Sequence, residues 1–130
     1  MSMLRVLVVE DEFLIQDAVV MTIEDVPGCC VVGAVERADA ALELTSRTPV
    51  DLAILDIKLP GTVDGVDLAH ELRRRHGVPV VFLSGSADPT TMRRIEAFGP
   101  LAFLRKPFHP QELKRLIANR KPTDLSSVLG

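Results

Sequence analysis

The sequence predicts an α/β fold in which helices cover both faces of one five-stranded parallel sheet. Three observations predict it. Five short apolar runs alternate with segments of helical pattern along the 130 residues, and the links between them are short. Strands that alternate with helices in this way need right-handed crossovers, which produce a doubly wound parallel sheet. Because 47% of the residues are hydrophobic but only 4% are aromatic, we expect an aliphatic core.

The first half of the chain alternates three predicted strands with two helices. The run Leu4–Val9 is almost continuously apolar, which is typical of a strand that is buried on both faces. The helix that follows ends before Pro27 and Gly28, two residues that stop helices. In chain order the elements are strand Leu4–Val9, helix Glu12–Val26, strand Cys30–Val35, helix Ala38–Ser46 and strand Asp51–Leu55.

The second half supplies two more strands and three helices. Asp88 followed by Pro89 has the pattern of an N-cap with proline at the first helical position. In chain order the elements are helix Asp64–His76, strand Val78–Leu83, helix Pro89–Phe98, strand Leu101–Leu104 and helix Pro110–Asn119. Five β/α units predict one domain over residues 1–120, a polar tail over residues 121–130 and the flavodoxin-like strand order 2-1-3-4-5.

Charge and composition argue against several classes of function. The net charge of −3 and the pI near 5.6 do not suit a nucleic-acid or anionic-membrane surface. No apolar run approaches the roughly 20 residues that span a bilayer. The first residues lack the pattern of a secretory signal, and the adjacent Cys29 and Cys30 suit reduced thiols. We therefore expect a cytoplasmic protein that binds neither nucleic acid nor membrane.

Four polar residues lie where predicted strands stop, namely Asp11, Asp56, Ser84 and Lys106. Side chains at the carboxyl ends of parallel strands point into the crevice above the sheet, where open α/β sheets bind ligands. Carboxylates, a hydroxyl and an ammonium that converge on one place are suited to a divalent metal ion and a phosphoryl group.

The acids after the first and third strands favour a metal ion. Glu10, Asp11 and Glu12 are consecutive, and Glu10 and Asp11 can converge with Asp56 where the chain leaves the strand. Carboxylates crowded in this way raise one another's pKa unless a cation is bound, and oxygen ligands suit Mg²⁺. Alternatively, the acids form a solvated cluster at the N-terminus of the first helix, where the helix dipole favours negative charge.

The remaining residues suit phosphoryl transfer. Asp56 follows a buried apolar run, where an acid is costly unless it is paired. Its carboxylate can attack phosphorus and form an acyl phosphate; alternatively, it caps a turn. Lys106 can pair with a carboxylate or a phosphate, and we expect its bond to Pro107 to be cis. Ser84 can donate to a phosphoryl oxygen, or it forms a turn before Gly85.

Together these motifs resemble the receiver domain of two-component response regulators over residues 5–120. The matching segments are Val-Val-Glu10-Asp11-Glu12, Leu-Asp56-Ile-Lys-Leu-Pro60, Ser84 and Lys106-Pro107-Phe108. The resemblance implies a stand-alone phosphoacceptor of a two-component system or phosphorelay, not an enzyme. A histidine kinase or a histidine phosphotransfer protein would phosphorylate it, and it would then bind a downstream protein or relay the phosphate.

The resemblance also implies a role for each residue of the site. By this resemblance Asp56 is the phosphoacceptor, and Ser84 and Lys106 bind the phosphoryl oxygens. The implied Mg²⁺ ligands are Asp56, Asp11, Glu10 through water, and the backbone carbonyl of Lys58.

A two-state switch is implied as well. In the family the hydroxyl residue, here Ser84, moves towards the phosphoryl group, and the switch aromatic, here Phe103, follows it. The surface formed by helix 4, strand 5 and helix 5 then changes. This surface is also the expected interface of a homodimer.

Four departures from the family's usual pattern bear on these expectations. Glu10 replaces the commoner aspartate, and the loop Ile57–Asp64 is one residue longer than usual. Gly85 stands where most members have alanine, which adds backbone freedom beside the switch hydroxyl. Phe103 lacks the hydroxyl of tyrosine, so packing must govern the position of its ring.

Two pairs of side chains are expected to tune the chemistry. Lys58 and Ser86 stand where they can screen the phosphoryl group from water, and we expect them to set the lifetime of the acyl phosphate. Phe13 and Val20 lie nearly opposite the predicted core face of the first helix. They are expected to dock a helix of the phosphodonor; alternatively, loops partly cover them.

Three other functions compete with this one. An aspartyl-phosphate phosphatase of the haloacid-dehalogenase type needs a second aspartate where this chain has Lys58. A flavin-binding module needs a glycine- and hydroxyl-rich phosphate loop where this chain has Glu10-Asp11-Glu12. A degenerate receiver that serves only as a binding module is disfavoured, because every required residue type is present.

Overall fold

The computed structural model describes residues 3–119, which form one parallel sheet flanked by helices. The strands are β1 Leu4–Val9, β2 Cys29–Val35, β3 Leu52–Asp56, β4 Val80–Ser84 and β5 Ala102–Arg105. The helices are α1 Phe13–Glu24, α2 Ala38–Arg47, α3 Gly65–His76, α4 Pro89–Phe98 and α5 Pro110–Ala118. The observed strand order β2-β1-β3-β4-β5 confirms the predicted topology. The predicted polar tail, residues 121–130, lies outside the described residues.

The sheet separates two apolar cores, because successive residues of a strand point to opposite faces. In β1, Leu7 and Val9 contribute to one core, whereas Val6 and Val8 contribute to the other. Helices α2, α3 and α4 cover the first core, and α1 and α5 cover the second. Strands β3 and β4 are consequently buried along their whole length.

The register of the sheet brings the carboxyl ends of the strands to one edge. Asp56, the last residue of β3, is paired with Leu83 of β4. Ser84, the last residue of β4, is paired with Arg105 of β5. Residues at or just beyond these positions therefore lie close together, as the sequence predicts.

The predicted elements are all present, with small shifts at their ends. Strand β4 begins at Val80, not at Val78. The N–H of Val78 donates to the carbonyl oxygen of Leu72 at 3.5 Å, which turns it back towards the end of α3, and Pro79 has no N–H. Across residues 3–119, none of the helices combines the length and apolar character needed to cross a bilayer.

Gly65 begins α3 at a point where the backbone leaves no room for a side chain. A Cβ atom here would lie 2.0 Å from the carbonyl oxygen of Asp56 and 2.8 Å from Cα of Ile57. The N–H of Gly65 donates to the carbonyl oxygen of Ile57 at 2.7 Å, which holds this close approach. Glycine thus fixes the end of the β3–α3 loop against the end of β3.

We expect Gly65→Ala to lower the free energy of unfolding by about 2–3 kcal/mol, because backbone atoms cannot move aside for the new Cβ. Urea unfolding followed by circular dichroism measures the change. Gly85→Ala is the matched control, since nothing lies within 4 Å of a Cβ built there. Its change should stay below about 0.5 kcal/mol. Equal losses in the two variants would contradict the role assigned to Gly65.

Candidate functional site

Three acidic side chains converge at the carboxyl edge of the sheet. One oxygen atom from each of Glu10, Asp11 and Asp56 lies within 4.8 Å of the others. Glu10 follows β1 and Asp56 ends β3, and both are buried, whereas Asp11 is exposed. The cluster therefore has two enclosed carboxylates and one open side.

Lys106 bridges the two buried carboxylates. Its Nζ donates to Oε1 of Glu10 at 2.7 Å and lies 3.3 Å from Oδ2 of Asp56. The lysine side chain is 13% exposed, so solvent screens these ion pairs only weakly. The bond between Lys106 and Pro107 is cis, as the sequence predicts.

Donors from the start of α1 hold Glu10 in place. Its Oε2 accepts a hydrogen bond from the N–H of Glu12 at 3.0 Å. Nε2 of Gln16 donates to the carbonyl oxygens of Glu10 at 3.0 Å and of Val35 at 3.1 Å, which ties the end of β1 to the end of β2. Sequence reasoning did not single out Gln16. The sequence signal that could have identified it is an uncharged amide among the apolar residues of the first turn of α1.

Burial changes the protonation chemistry of Asp56 and Lys106. Desolvation, and next repulsion from Glu10, raise the pKa of Asp56 to about 6 against the attraction of Lys106. The N–H of Lys58, 3.3 Å from Oδ1 of Asp56, also favours the carboxylate. Burial opposes the charged form of Lys106, but the hydrogen bond to Glu10 and the attraction of Asp56 outweigh it and raise the pKa of the ammonium. Lys106 is therefore charged at neutral pH.

The carboxylate oxygens of this site fit a hard divalent cation. Mg²⁺ takes oxygen ligands and usually keeps several waters, so that one or two carboxylates suffice to hold it. Asp11 offers an exposed oxygen beside the two buried carboxylates. The cleft has a volume of about 310 Å³ and is also lined by Lys58 and Ser84, which leaves room for water. A cation here would offset the excess negative charge of three acids that face one ammonium.

The two predicted switch residues lie on neighbouring strands. Ser84 is 2% exposed, and its Oγ donates to the carbonyl oxygen of Ser86 at 3.0 Å. Phe103 is half-buried and packs against the core that α2, α3 and α4 cover. In this structure the hydroxyl of Ser84 is thus hydrogen-bonded to the loop that follows β4. The switching roles of Ser84 and Phe103 stay predictions.

Lys58 and Ser86 lie at the mouth of the acidic cleft. Both are exposed, and both also line a neighbouring cavity of about 520 Å³ between the β3–α3 and β4–α4 loops. Both side chains therefore lie on the solvent side of the cleft. Their effect on the lifetime of an acyl phosphate stays a prediction.

The exposed apolar surface of α1 differs from the predicted one. Phe13 is 70% exposed, as expected, but Val20 is half-buried and packs against the core beneath α1 and α5. The expected exposure of Val20 is wrong, because α1 packs against both β2 and α5 and so buries a wide arc of its surface. The other large apolar residues of α1 that are exposed are Leu14, at 80%, and Met21, at 65%.

The chain matches a known protein family. The family model described as the response regulator receiver domain matches residues 6–118. The transcriptional regulatory protein PdtaR of Mycobacterium tuberculosis is 36% identical over 110 residues, which are 84% of this chain and 52% of PdtaR. The regulatory protein VanR of Enterococcus faecium is 33% identical over 109 residues, 84% of this chain and 46% of VanR. The chain thus spans about half the length of these curated relatives.

Solved structures match nearly the whole chain. The signal receiver domain of a modulated diguanylate cyclase from Desulfovibrio desulfuricans G20 has a TM-score of 0.86 at 28% identity, with 97% of this chain and 99% of that chain covered. A CheY-like response regulator receiver domain protein from Methanospirillum hungatei JF-1 has a TM-score of 0.84 at 26% identity, with the same coverage of 97% and 99%.

We expect Asp56→Asn to stabilise the metal-free protein at pH 8. Folding raises the pKa of Asp56 from 3.8 to about 6, so the stabilisation of its protonated form is present at low pH and is lost as the pH rises through about 6. Asparagine is uncharged at every pH. Urea unfolding in EDTA should therefore give the variant about 1–2 kcal/mol more stability at pH 8, and little difference at pH 4.

Asp51→Asn is the matched control for this measurement. The hydrogen bond from Arg5 holds the pKa of Asp51 below its usual value, so ionisation of Asp51 favours folding. This variant should lose stability at pH 8. An Asp56→Asn variant that is also less stable than the wild type at pH 8 would contradict the raised pKa of Asp56.

Proposed function

Because the chain belongs to the family of response regulator receiver domains, we propose that it is a phosphoacceptor whose Asp56 receives a phosphoryl group in two-component signalling. The buried carboxylate of Asp56, held at the end of β3 between Glu10 and Lys106, carries the proposal. Receiver domains bind Mg²⁺ at an acidic pocket and interact with histidine kinases or phosphotransfer proteins. We expect a partner of this kind to be the phosphodonor.

The proposed reaction is a nucleophilic displacement at phosphorus. An ionised oxygen of Asp56 attacks the phosphorus atom of the donor, and a new O–P bond forms. The bond from phosphorus to the leaving atom of the donor breaks, and the leaving group departs with that electron pair. The product is an acyl phosphate on Asp56, and nothing is oxidised or reduced.

Glu10, Asp11, Asp56 and the backbone carbonyl of Lys58 are the proposed ligands of Mg²⁺. When bound, Mg²⁺ neutralises charge on the transferred phosphoryl group, which is most of what this reaction asks of a protein. The carboxylate ligands are already oriented for the metal ion. Hydrogen bonds to backbone N–H groups orient the two buried carboxylates, and Asp11 stands at the side that is open to solvent.

Lys106 and Ser84 are the proposed binders of the phosphoryl oxygens. Nζ of Lys106 already lies 3.3 Å from Oδ2 of Asp56, so it needs little movement to pair with a phosphate there. The hydroxyl of Ser84 must first leave the carbonyl oxygen of Ser86. This exchange is favourable, because hydrogen bonds to charged acceptors are roughly twice as strong as neutral ones.

Loss of the hydrogen bond between Ser84 and Ser86 is the proposed first step of the switch. It would free the β4–α4 loop, and the half-buried ring of Phe103 would repack in response. The surface formed by α4, β5 and α5 would then present a different face. A downstream protein, or a second copy of the chain, is the expected binder of that surface.

The proposed docking place of the phosphodonor is a groove beside the acidic cleft. The groove has a volume of about 300 Å³ and lies between α1 and the segment that follows β5, with Leu14, Ala18 and Phe108 among its apolar lining. Lys106 lines both the groove and the cleft. A helix of the donor seated in the groove would therefore hold its phosphohistidine near Asp56.

We expect the wild-type chain to gain the mass of one phosphoryl group when it is incubated with acetyl phosphate and Mg²⁺, because a small donor needs only the cleft. Asp56→Asn should gain none, since it lacks the attacking oxygen. Mass spectrometry of the intact proteins measures this, with EDTA in place of Mg²⁺ as the control. A gain in the variant would place the acceptor elsewhere. No gain in the wild type would favour a degenerate receiver.

A charged residue in the groove should separate the two kinds of donor. Leu14→Glu should slow transfer from a phosphorylated histidine phosphotransfer protein roughly tenfold or more, because it puts a charge into an apolar contact, and leave transfer from acetyl phosphate unchanged. Met3→Glu is the matched control, since Met3 is 46% exposed and precedes β1 at the opposite edge of the sheet. Equal slowing with both donors would rule out docking in the groove.

A further inference from the structure

Helix α4 has fewer apolar contacts with the core than its neighbour α3. Two of its ten residues, Ile95 and Phe98, are buried, whereas five residues of α3 are buried. Its N-terminus follows the β4–α4 loop directly, with Asp88 as the N-cap. Polar contacts therefore have a large share in fixing the position of α4.

Arg94 joins the middle of α4 to the start of α3. Its guanidinium donates to both carboxylate oxygens of Asp64, at 2.8 and 3.1 Å, and to Oδ1 of Asp67 at 3.0 Å. Asp64 and Asp67 also form the capping box of α3, in which each side chain accepts from the backbone N–H of the other residue. The planar fork of arginine suits this simultaneous grip on two carboxylates.

Arg73 joins α3 to the C-terminal end of α4. Its Nη1 donates to the carbonyl oxygen of Phe98 at 2.6 Å, and its Nη2 donates to that of Gly99 at 3.2 Å. Its guanidinium carbon lies 3.5 Å from the centre of the Phe98 ring. The last carbonyl groups of a helix lack partners within the helix, so Arg73 satisfies groups that would otherwise need water.

The Arg94 contact connects α4 to the β3–α3 loop, which borders the acidic cleft, whereas Arg73 holds the C-terminal end of α4 to α3. Asp64 ends the β3–α3 loop, which follows Asp56, and α4 begins where the β4–α4 loop ends. The cavity of about 520 Å³ between the loops gives them space to move. If the β4–α4 loop moves towards a phosphorylated Asp56, α4 can follow only when Arg94 releases Asp64 and Asp67.

We infer that Arg73 and Arg94 form a clamp that holds α4 in its unphosphorylated position and sets the balance between the two states of the switch. The inference rests on the proposed phosphorylation of Asp56. The Arg94 and Asp64 side chains are 36% and 34% exposed, so solvent weakens their ion pair and the clamp can open. A weaker clamp increases the fraction of unphosphorylated protein in which α4 has already left this position. Less free energy is then needed to reach the phosphorylated conformation.

Hydrogen exchange of the unphosphorylated protein tests the clamp directly. Amides of α4 should exchange roughly two- to tenfold faster in Arg94→Ala and in Arg73→Ala than in the wild type, with those of α5 unchanged. Arg93→Ala is the matched control, because it removes the same charge from the neighbouring position, where the guanidinium contacts Thr90 of its own helix at 3.4 Å. Arg94→Lys keeps the charge but not the planar guanidinium, so its exchange rates should lie between those of the wild type and Arg94→Ala.

Phosphorylation by acetyl phosphate and Mg²⁺ supplies the second readout. Arg94→Ala should be phosphorylated roughly two- to tenfold faster than the wild type and Arg93→Ala. If the wild type is phosphorylated while Arg94→Ala and Arg93→Ala behave alike in both measurements, the clamp is refuted. If the wild type is not phosphorylated, the proposed function fails, but the exchange rates still decide whether the arginines restrain α4. If Arg94→Ala does not fold, Arg94→Lys takes its place in the same comparison with Arg93→Ala.

Discussion

The site depends on one ammonium that pairs with two buried carboxylates. Glu10 and Asp56 are both shielded from water, and a buried charge without a partner costs several kcal/mol. Lys106 contacts both, but one positive charge does not balance these two acids and Asp11 beside them. The cleft consequently keeps a negative charge that a divalent cation can offset. Burial of the carboxylate, and next the repulsion from Glu10, raise the pKa of Asp56.

The sheet topology explains why a long side chain provides the ammonium. In the order β2-β1-β3-β4-β5, Lys106 follows the edge strand β5, while Glu10 follows β1, with β3 and β4 between them. Neighbouring strands are about 4.8 Å apart, so a short side chain on the loop after β5 would not reach Glu10. Lys106 and Glu10 are 96 residues apart in the chain. Their pairing therefore requires the four strands β1, β3, β4 and β5 in their correct order, and the site is complete only when this part of the sheet is.

The strand ends were predictable from the sequence because local pattern fixes them. An apolar run that stops at a charged residue indicates both the strand and the position of that residue at the edge, and Asp56 is an example. The rotation of α1 was not predictable in this way, since β2 and α5 together decide that Val20 is partly buried. The same holds for Arg94 and Asp64, whose pairing depends on how two helices lie together, and for Gly65, whose need appears only where two backbone segments meet.

The strengths of its contacts suit α4 to the switching role proposed for it. The neutral hydrogen bond from Ser84 to Ser86 contributes about 1 kcal/mol, and a partly exposed ion pair such as that of Arg94 about 1 kcal/mol or less. A hydrogen bond to a charged phosphoryl oxygen contributes about 1.5–3 kcal/mol, so it is comparable to the contacts that it must displace. The two states can thus lie within a few kcal/mol of each other, as a reversible switch requires. Helix α3 has more apolar contact to lose on moving, because three large apolar side chains, those of Val66, Leu68 and Leu72, are buried, against two in α4.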